Sequence, residues 1–175
     1  MNLLIIYTSL ACMAALIAFW KQPVLPRAWP LLAIAALPQL ISMLGIRGLI
    51  LFSITTIALG LWCWLNRSLS GVWLVSIGIA LNLLVMGLHG GAMPIHSDSL
   101  RALGHTVSEG TVLLGSKDLV VDAGLLRYLG DWIVVDWTPI AFVASPGDIL
   151  ILLGIVQWLF SQAVRAHPIS QLQHA

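Results

Sequence analysis

Five apolar runs divide the chain, at about 2–20, 29–46, 49–65, 72–88 and 148–164. Runs of this length and hydropathy predict transmembrane helices. The breaks between them carry helix-ending residues. Gln22-Pro23-Val24-Leu25-Pro26-Arg27 cannot continue a helix, because proline lacks the backbone donor and clashes with the preceding turn. Gly45-Ile46-Arg47-Gly48 and Asn66-Arg67-Ser68-Leu69-Ser70-Gly71 read as tight turns, and Pro38 predicts a kink in the second run.

The segment 89–147 is polar but not uniformly so. Ser97 stands as a helix N-cap, with Gly104 at the position just past the helix end. Ser116 caps a second short helix or turn carrying Leu119, Val120 and Val121, and Leu125–Gly130 reads as a third. Trp132, Trp137 and Phe142 suit a membrane interface. The pattern therefore predicts an all-α fold: one domain over 1–175, a polytopic membrane bundle of five transmembrane helices, with 89–147 folded as an outer-face cap of short helices.

Composition strengthens that picture. Hydrophobic residues make up 59% of the chain and charged residues 9%, with a mean hydropathy of +0.99, where a soluble domain carries about a quarter charged residues. Lys21, Arg27, Arg67 and Arg165 gather on one side of the expected spans. This places the C-terminus in the cytoplasm and the N-terminus and cap outside, in a multi-pass cell-membrane protein. The net charge of +1 gives no case for nucleic acid; the partners implied are the lipid bilayer and other membrane subunits. Cys12 and Cys63 lie within apolar runs and read as small buried hydrophobes.

All seven acidic residues fall between Asn82 and Asp148, with three of the five histidines. Ionisable groups near membrane depth are functional candidates by default, so Asp131, Asp136 and Asp148 are candidate catalytic residues. The competing role for each aspartate is a helix cap or a turn. Asn82 and the cap residues His89, His96 and Asp98 are candidate ligand-binding groups. His89, His96 and His105 lack the close pairing of zinc ligands, so no metal site is assigned. The cofactor is left unassigned.

Asn82, Gly90-Gly91-x-Met93-Pro94, Leu129-Gly130-Asp131 and Ser145-x-Gly147-Asp148-Ile149-Leu150 occur in an order that resembles an uncharacterised group of prokaryotic membrane proteins, domain of unknown function 5317. The resemblance covers about Gly71–Leu159, and the group commonly has Asn where His89 stands. It implies a fold and names no reaction. Val134-Val135-Asp136-Trp137 followed by Asp148 and an apolar run is similar to the C-terminal part of signal peptidase II, with Ser145-Pro146-Gly147 where that enzyme has Asn-x-Ala. That resemblance implies Asp136 and Asp148 as a carboxylate pair activating water. Two functions follow: a non-catalytic component whose cap binds a small molecule, a lipid head group or a partner subunit, or alternatively an aspartate-dependent membrane hydrolase.

Overall fold

The computed structural model describes residues 26–43, 49–113, 118–122, 124–137 and 140–165. In chain order these form α1 (Pro30–Met43), α2 (Leu49–Leu65), α3 (Val72–Leu88), β1 (Met93–Ile95), α4 (Ser97–Ala102), β2 (Asp118–Val120), a 3-10 helix (Leu125–Leu129), β3 (Ile133–Trp137), β4 (Ile140–Ala144) and α5 (Pro146–Arg165). The expected first run, 2–20, lies outside the described residues, as do Ser116 and residues 44–48.

The transmembrane bundle and its multi-pass location are overturned: among the described residues, no helix is long and apolar enough to cross a membrane. The physical reason is length and composition. α1 has 14 residues, and α2 and α3 have 17 each; at about 1.5 Å per residue, 17 residues reach roughly 26 Å, short of a hydrocarbon core about 30 Å thick. α5 has 20 residues, but Asp148, Gln157, Ser161, Gln162 and Arg165 interrupt its apolar character.

The all-α expectation also fails, because the cap contains two small sheets. β1 pairs with β2 in parallel, Pro94 opposite Leu119. β3 and β4 form an antiparallel hairpin running from Ile133 opposite Ala144 to Trp137 opposite Ile140. Ile133-Val134-Val135 and Ile140-Ala141-Phe142-Val143 are rich in the β-branched and aromatic residues that suit a pleated, half-buried surface. Leu119 and Val120, expected on a short helix or turn, lie instead in β2.

α2 and α3 are joined by a turn that a side chain organises. Asn66 is almost fully buried. Its amide donates to the carbonyls of Trp62 (2.8 Å) and Arg27 (3.0 Å), and its oxygen accepts from Arg27 N (2.6 Å). One side chain thus closes the end of α2 and ties down the strand of chain entering α1. Gly71 then takes a left-handed conformation, φ 83°, and opens α3.

α3 and α5 run antiparallel in close contact. Gly71 and Gly78 face Gly154 and Gly147, and each glycine pair is seven residues apart, two helical turns. A Cβ on Gly154 would stand 2.6 Å from the Gly71 carbonyl oxygen, and one on Gly78 only 3.0 Å from Ile151 N. The glycines therefore let the two backbones approach closely. At the other end of α3, Gly90 and Gly91 have φ values of 65° and 89° and turn the chain into β1.

β1 is buried along its whole length and is the strand that holds the cap together. Asp131 N donates to the Pro94 carbonyl (2.8 Å), His96 N to the Asp131 carbonyl (3.1 Å), and Val121 N to the Ile95 carbonyl (3.0 Å). Met93 packs with Val85 and Met86 of α3, while Ile95 packs with Leu100 and Val120. The same three-residue strand thus joins the helical layer to the cap core. Outward-facing apolar residues such as Trp29, Ile50, Ile57, Trp64 and Phe160 are left uncovered by the described residues.

Candidate functional site

Two polar clusters emerge. The first begins at β1, where the chain leaves the strand through His96. His96, rather than the expected Ser97, caps α4: its Nδ1 accepts from Asp98 N at 3.2 Å. Ser97 N, the neighbouring donor, is taken by the Asp122 carboxylate at 2.9 Å. α4 then ends as anticipated, with Gly104 left-handed at φ 82° past Leu103. Asp98 extends into solvent and pairs with Arg101 at 2.6 Å, an i,i+3 contact on one helix face.

Across the cleft from α4 stand the 3-10 helix and, three residues past its end, Trp132. Tyr128 and Trp132 meet edge to face, ring centres 6.1 Å apart, and the Trp132 indole N–H donates to the Tyr128 carbonyl at 2.7 Å. Arg127 lies over the Tyr128 ring, 4.8 Å from its centre, and donates to the Tyr128 hydroxyl at 2.8 Å. That hydroxyl contact is the main cause holding the Arg127 pKa above its ordinary value. Its guanidinium also reaches the Asp122 carbonyl. His96, Asp98, Ser99, Arg127, Tyr128 and Trp132 enclose a cleft of about 370 Å³ with Val134 among its walls, within the range of about 300–1,000 Å³ typical of small-molecule sites. Its aromatic wall is half exposed and held in place by hydrogen bonds, and its opposite wall is polar.

Asp122 lies behind this cleft. The backbone N–H of Ser97 is the main cause lowering its pKa below 3.8, aided by the Ser97 side chain, His96 and Arg101 and opposed by burial. A carboxylate depressed on folding adds stability that is present above the unfolded pKa and lost as pH falls through the folded value. Asp122→Asn is therefore expected to lower the melting temperature at pH 6–7, at a cost of about 1–2 kcal/mol. The two proteins should converge at the acid end, as pH falls through the folded-state pKa of Asp122. Thermal melts across pH 2.5–7 check this; a difference that persists undiminished at the acid end contradicts it.

The second cluster joins α3 to α5. Ser145 caps α5: its hydroxyl accepts from Asp148 N (3.0 Å) while the Asp148 carboxylate accepts from Ser145 N (3.0 Å). This is a reciprocal capping box, Asp standing where Glu or Gln is usual. Asn82 completes it from α3, donating to Asp148 Oδ1 at 2.8 Å and accepting from the Ser145 hydroxyl at 2.9 Å. Gly147 makes this possible, since a Cβ there would overlap the Asn82 amide oxygen. The Ser145-x-x-Asp148 spacing was a readable sign of the capping box, and it identifies Ser145 as the cap that attention to Asp148 alone overlooks.

The remaining candidates are dispersed. His89 Nδ1 contacts the Val85 carbonyl at 2.7 Å, back along its own helix, away from the His96–Asp98 cleft. His105 is exposed. Asp131 is buried beside β1, 9% exposed. Asp136 is exposed on β3 opposite Ala141. The hairpin register puts it three residues, roughly 10 Å, from the end where Ala144 leads into Ser145. The Asp148 carboxylate is held by Ser145 and Asn82. Among the described residues, no group of three or more His, Cys, Asp or Glu side chains could hold a metal ion. The sequence does not single out Arg127, Tyr128 and Trp132 as site residues, because Trp132 reads as an interfacial aromatic and Arg127 and Tyr128 as part of a short helix.

No curated protein and no solved structure matches the chain. A family profile does match, over residues 28–160, about three quarters of the chain. It brings no activity with it, but it extends the likeness beyond the cap and the last helix into α1 and α2. The chain belongs to the family of unknown function DUF5317.

Proposed function

We propose that this is a non-catalytic binding protein whose cap takes a small polyhydroxylated molecule, such as a sugar ring, in the His96–Trp132 cleft. One observation carries the reading: an ordered, half-exposed Tyr128–Trp132 pair stands opposite His96 and Asp98 in one cleft. A sugar ring presents an apolar face that packs on an aromatic ring, and hydroxyls at its rim that donate to a carboxylate and accept from a guanidinium. The formal charges balance, with Asp98 against Arg101 and Asp122 near Arg127, which suits a neutral ligand.

Among the described residues of the cleft, none is arranged as an activated nucleophile. The Ser99 hydroxyl donates to the Trp132 carbonyl at 3.1 Å, and His96 Nδ1 is occupied by Asp98 N. The alternative of a paired-aspartate hydrolase resembling signal peptidase II lacks a comparable supporting observation, given the positions of Asp136 and Asp148.

The test is saturation-transfer NMR and calorimetry on the purified full-length chain with glucose, galactose and N-acetylglucosamine. Binding of at least one is expected, weakened about tenfold or more by Trp132→Ala, a loss of about 1.4 kcal/mol. Absence of binding across the panel, or binding indifferent to Trp132→Ala and Asp98→Asn, defeats the reading.

A further inference from the structure

α1 packs on α2, and α3 packs along α5, while the two pairs meet only sparingly. Between the pairs lies a crevice composed of two adjoining cavities of about 310 and 460 Å³, which share Leu32, Leu59, Ile79 and Ile151. Its ends differ in chemistry. One end carries Asn82, Asp148 and Thr55. The other is walled by Trp62, Trp158, Val72 and Val75, with scarcely any polar surface.

The polar end has an unbalanced charge. Asp148 is half-buried, and among the described residues no Lys, Arg or His lies within ion-pair distance of it. Its two oxygens accept from Asn82 and from Ser145 N, which leaves each oxygen further acceptor capacity. These hydrogen bonds and the start of α5 stabilise the anion in part. A carboxylate drawn partly out of water is nevertheless best satisfied by a counter-charge.

We propose that this crevice binds a single-chain amphiphile with an ammonium head group, the ammonium at Asp148 and the alkyl chain running toward Trp62 and Trp158. The site is distinct from the cap cleft and does not depend on it. The geometry selects for both parts of the ligand: the carboxylate disfavours an anionic head, and the largely apolar walls of the other end favour an alkyl chain.

Calorimetry on the full-length chain with dodecylammonium, dodecanol and dodecyl sulfate, each below its micelle concentration, tests the assignment. Dodecylammonium is expected to bind at least tenfold more tightly than the other two. Asp148→Asn retains an acceptor for Ser145 N and should abolish that preference. Ala36→Leu, at an exposed position on the crevice wall, should reduce dodecylammonium uptake even if Asp148→Asn folds poorly. Equal affinity for the three probes, no uptake of any, a preference unchanged in Asp148→Asn, or uptake unchanged in Ala36→Leu would each overturn the proposal.

Discussion

Alanine at Gly78 should lower the stability of the chain by about 1–3 kcal/mol, the usual cost of forcing a methyl group into closely packed structure. The new Cβ would overlap the Gly147 carbonyl oxygen and crowd Ile151, and both are backbone or core atoms of α5 that cannot yield independently. Relief requires the two helices to separate, which also stretches the Asn82–Asp148 hydrogen bond four residues further along α3. Gly147→Ala should be at least as damaging, because it strikes the Asn82 amide and the Gly78 carbonyl together. In a chain of this size each kcal/mol corresponds to roughly 2–4 °C in melting temperature. Gly60→Ala is the control: it sits in α2 with nothing within 4 Å of its added Cβ. It should be neutral or stabilising by up to about 1 kcal/mol through helix propensity. Circular dichroism melts of the three variants make the comparison. Equal behaviour of Gly78→Ala and Gly60→Ala would mean that α3 and α5 are not in backbone contact.

The residues behind the family resemblance meet in space at two places, although they are scattered over the chain. Gly130 lies against Pro94, and Asp131 N bonds the Pro94 carbonyl. Gly147 lies against Asn82, which bonds both Ser145 and Asp148. In each case a glycine admits a neighbour too close for any side chain, and a polar group beside it fixes the register. The shared motifs thus read as two clamps, one closing the cap on β1 and one closing α5 on α3. This gives them a structural purpose without requiring any reaction.

The sequence was legible where one local rule sufficed. α2 and α3 occupy the ranges over which their apolar runs extend, since turn residues such as Asn66 and Gly71 bound them. Gly104 marked the end of α4 because a left-handed residue there favours glycine. Legibility ended where two rules competed. Ile133–Trp137 and Ile140–Ala144 carry strong β-forming residues on either side of Thr138-Pro139. Beside so much apolar sequence, Trp137 and Phe142 read as interfacial anchors instead. β1 and β2 are three residues each and pair across more than twenty positions of chain, beyond what local patterning reveals. Hydropathy alone overstated the helices, because a run of 17 apolar residues marks an apolar helix without supplying the length of a span. The site suffered in the same way. Asp98 and His96 are accessible as a short-range pair, but Arg127, Tyr128 and Trp132 reach them through long-range contacts: the bridge of Asp131 to β1, the Ser99–Trp132 hydrogen bond and the Arg127–Asp122 contact.

Asn82→Asp should be the most pH-sensitive change in the molecule. The wild-type amide donates to Asp148 Oδ1 at 2.8 Å and accepts from the Ser145 hydroxyl at 2.9 Å. The substitution preserves the acceptor and the shape but turns the donor into a second carboxylate oxygen. Two carboxylates at that separation cannot both ionise cheaply, so the pair is expected to hold one proton. Its upper pKa in the folded state should rise by about 2–3 units above the value of near 4 in the unfolded chain. The sign follows from linkage. A group whose pKa is raised on folding contributes fully below its unfolded pKa, and that contribution is lost as pH climbs through the folded one. The variant should therefore approach wild-type stability near pH 4 and lose roughly 3–4 kcal/mol by pH 8, at 1.36 kcal/mol per unit. Asp148→Asn in the same background removes the repulsion, so the double variant should recover much of the loss at pH 8. Asn82→Leu, which deletes the hydrogen bonds without adding charge, should be destabilised by a nearly constant amount over the same interval. Melts at pH 4, 6 and 8 for these three proteins separate charge from shape. If Asn82→Asp is as stable at pH 8 as at pH 4, the two side chains do not share the contact that joins α3 to α5.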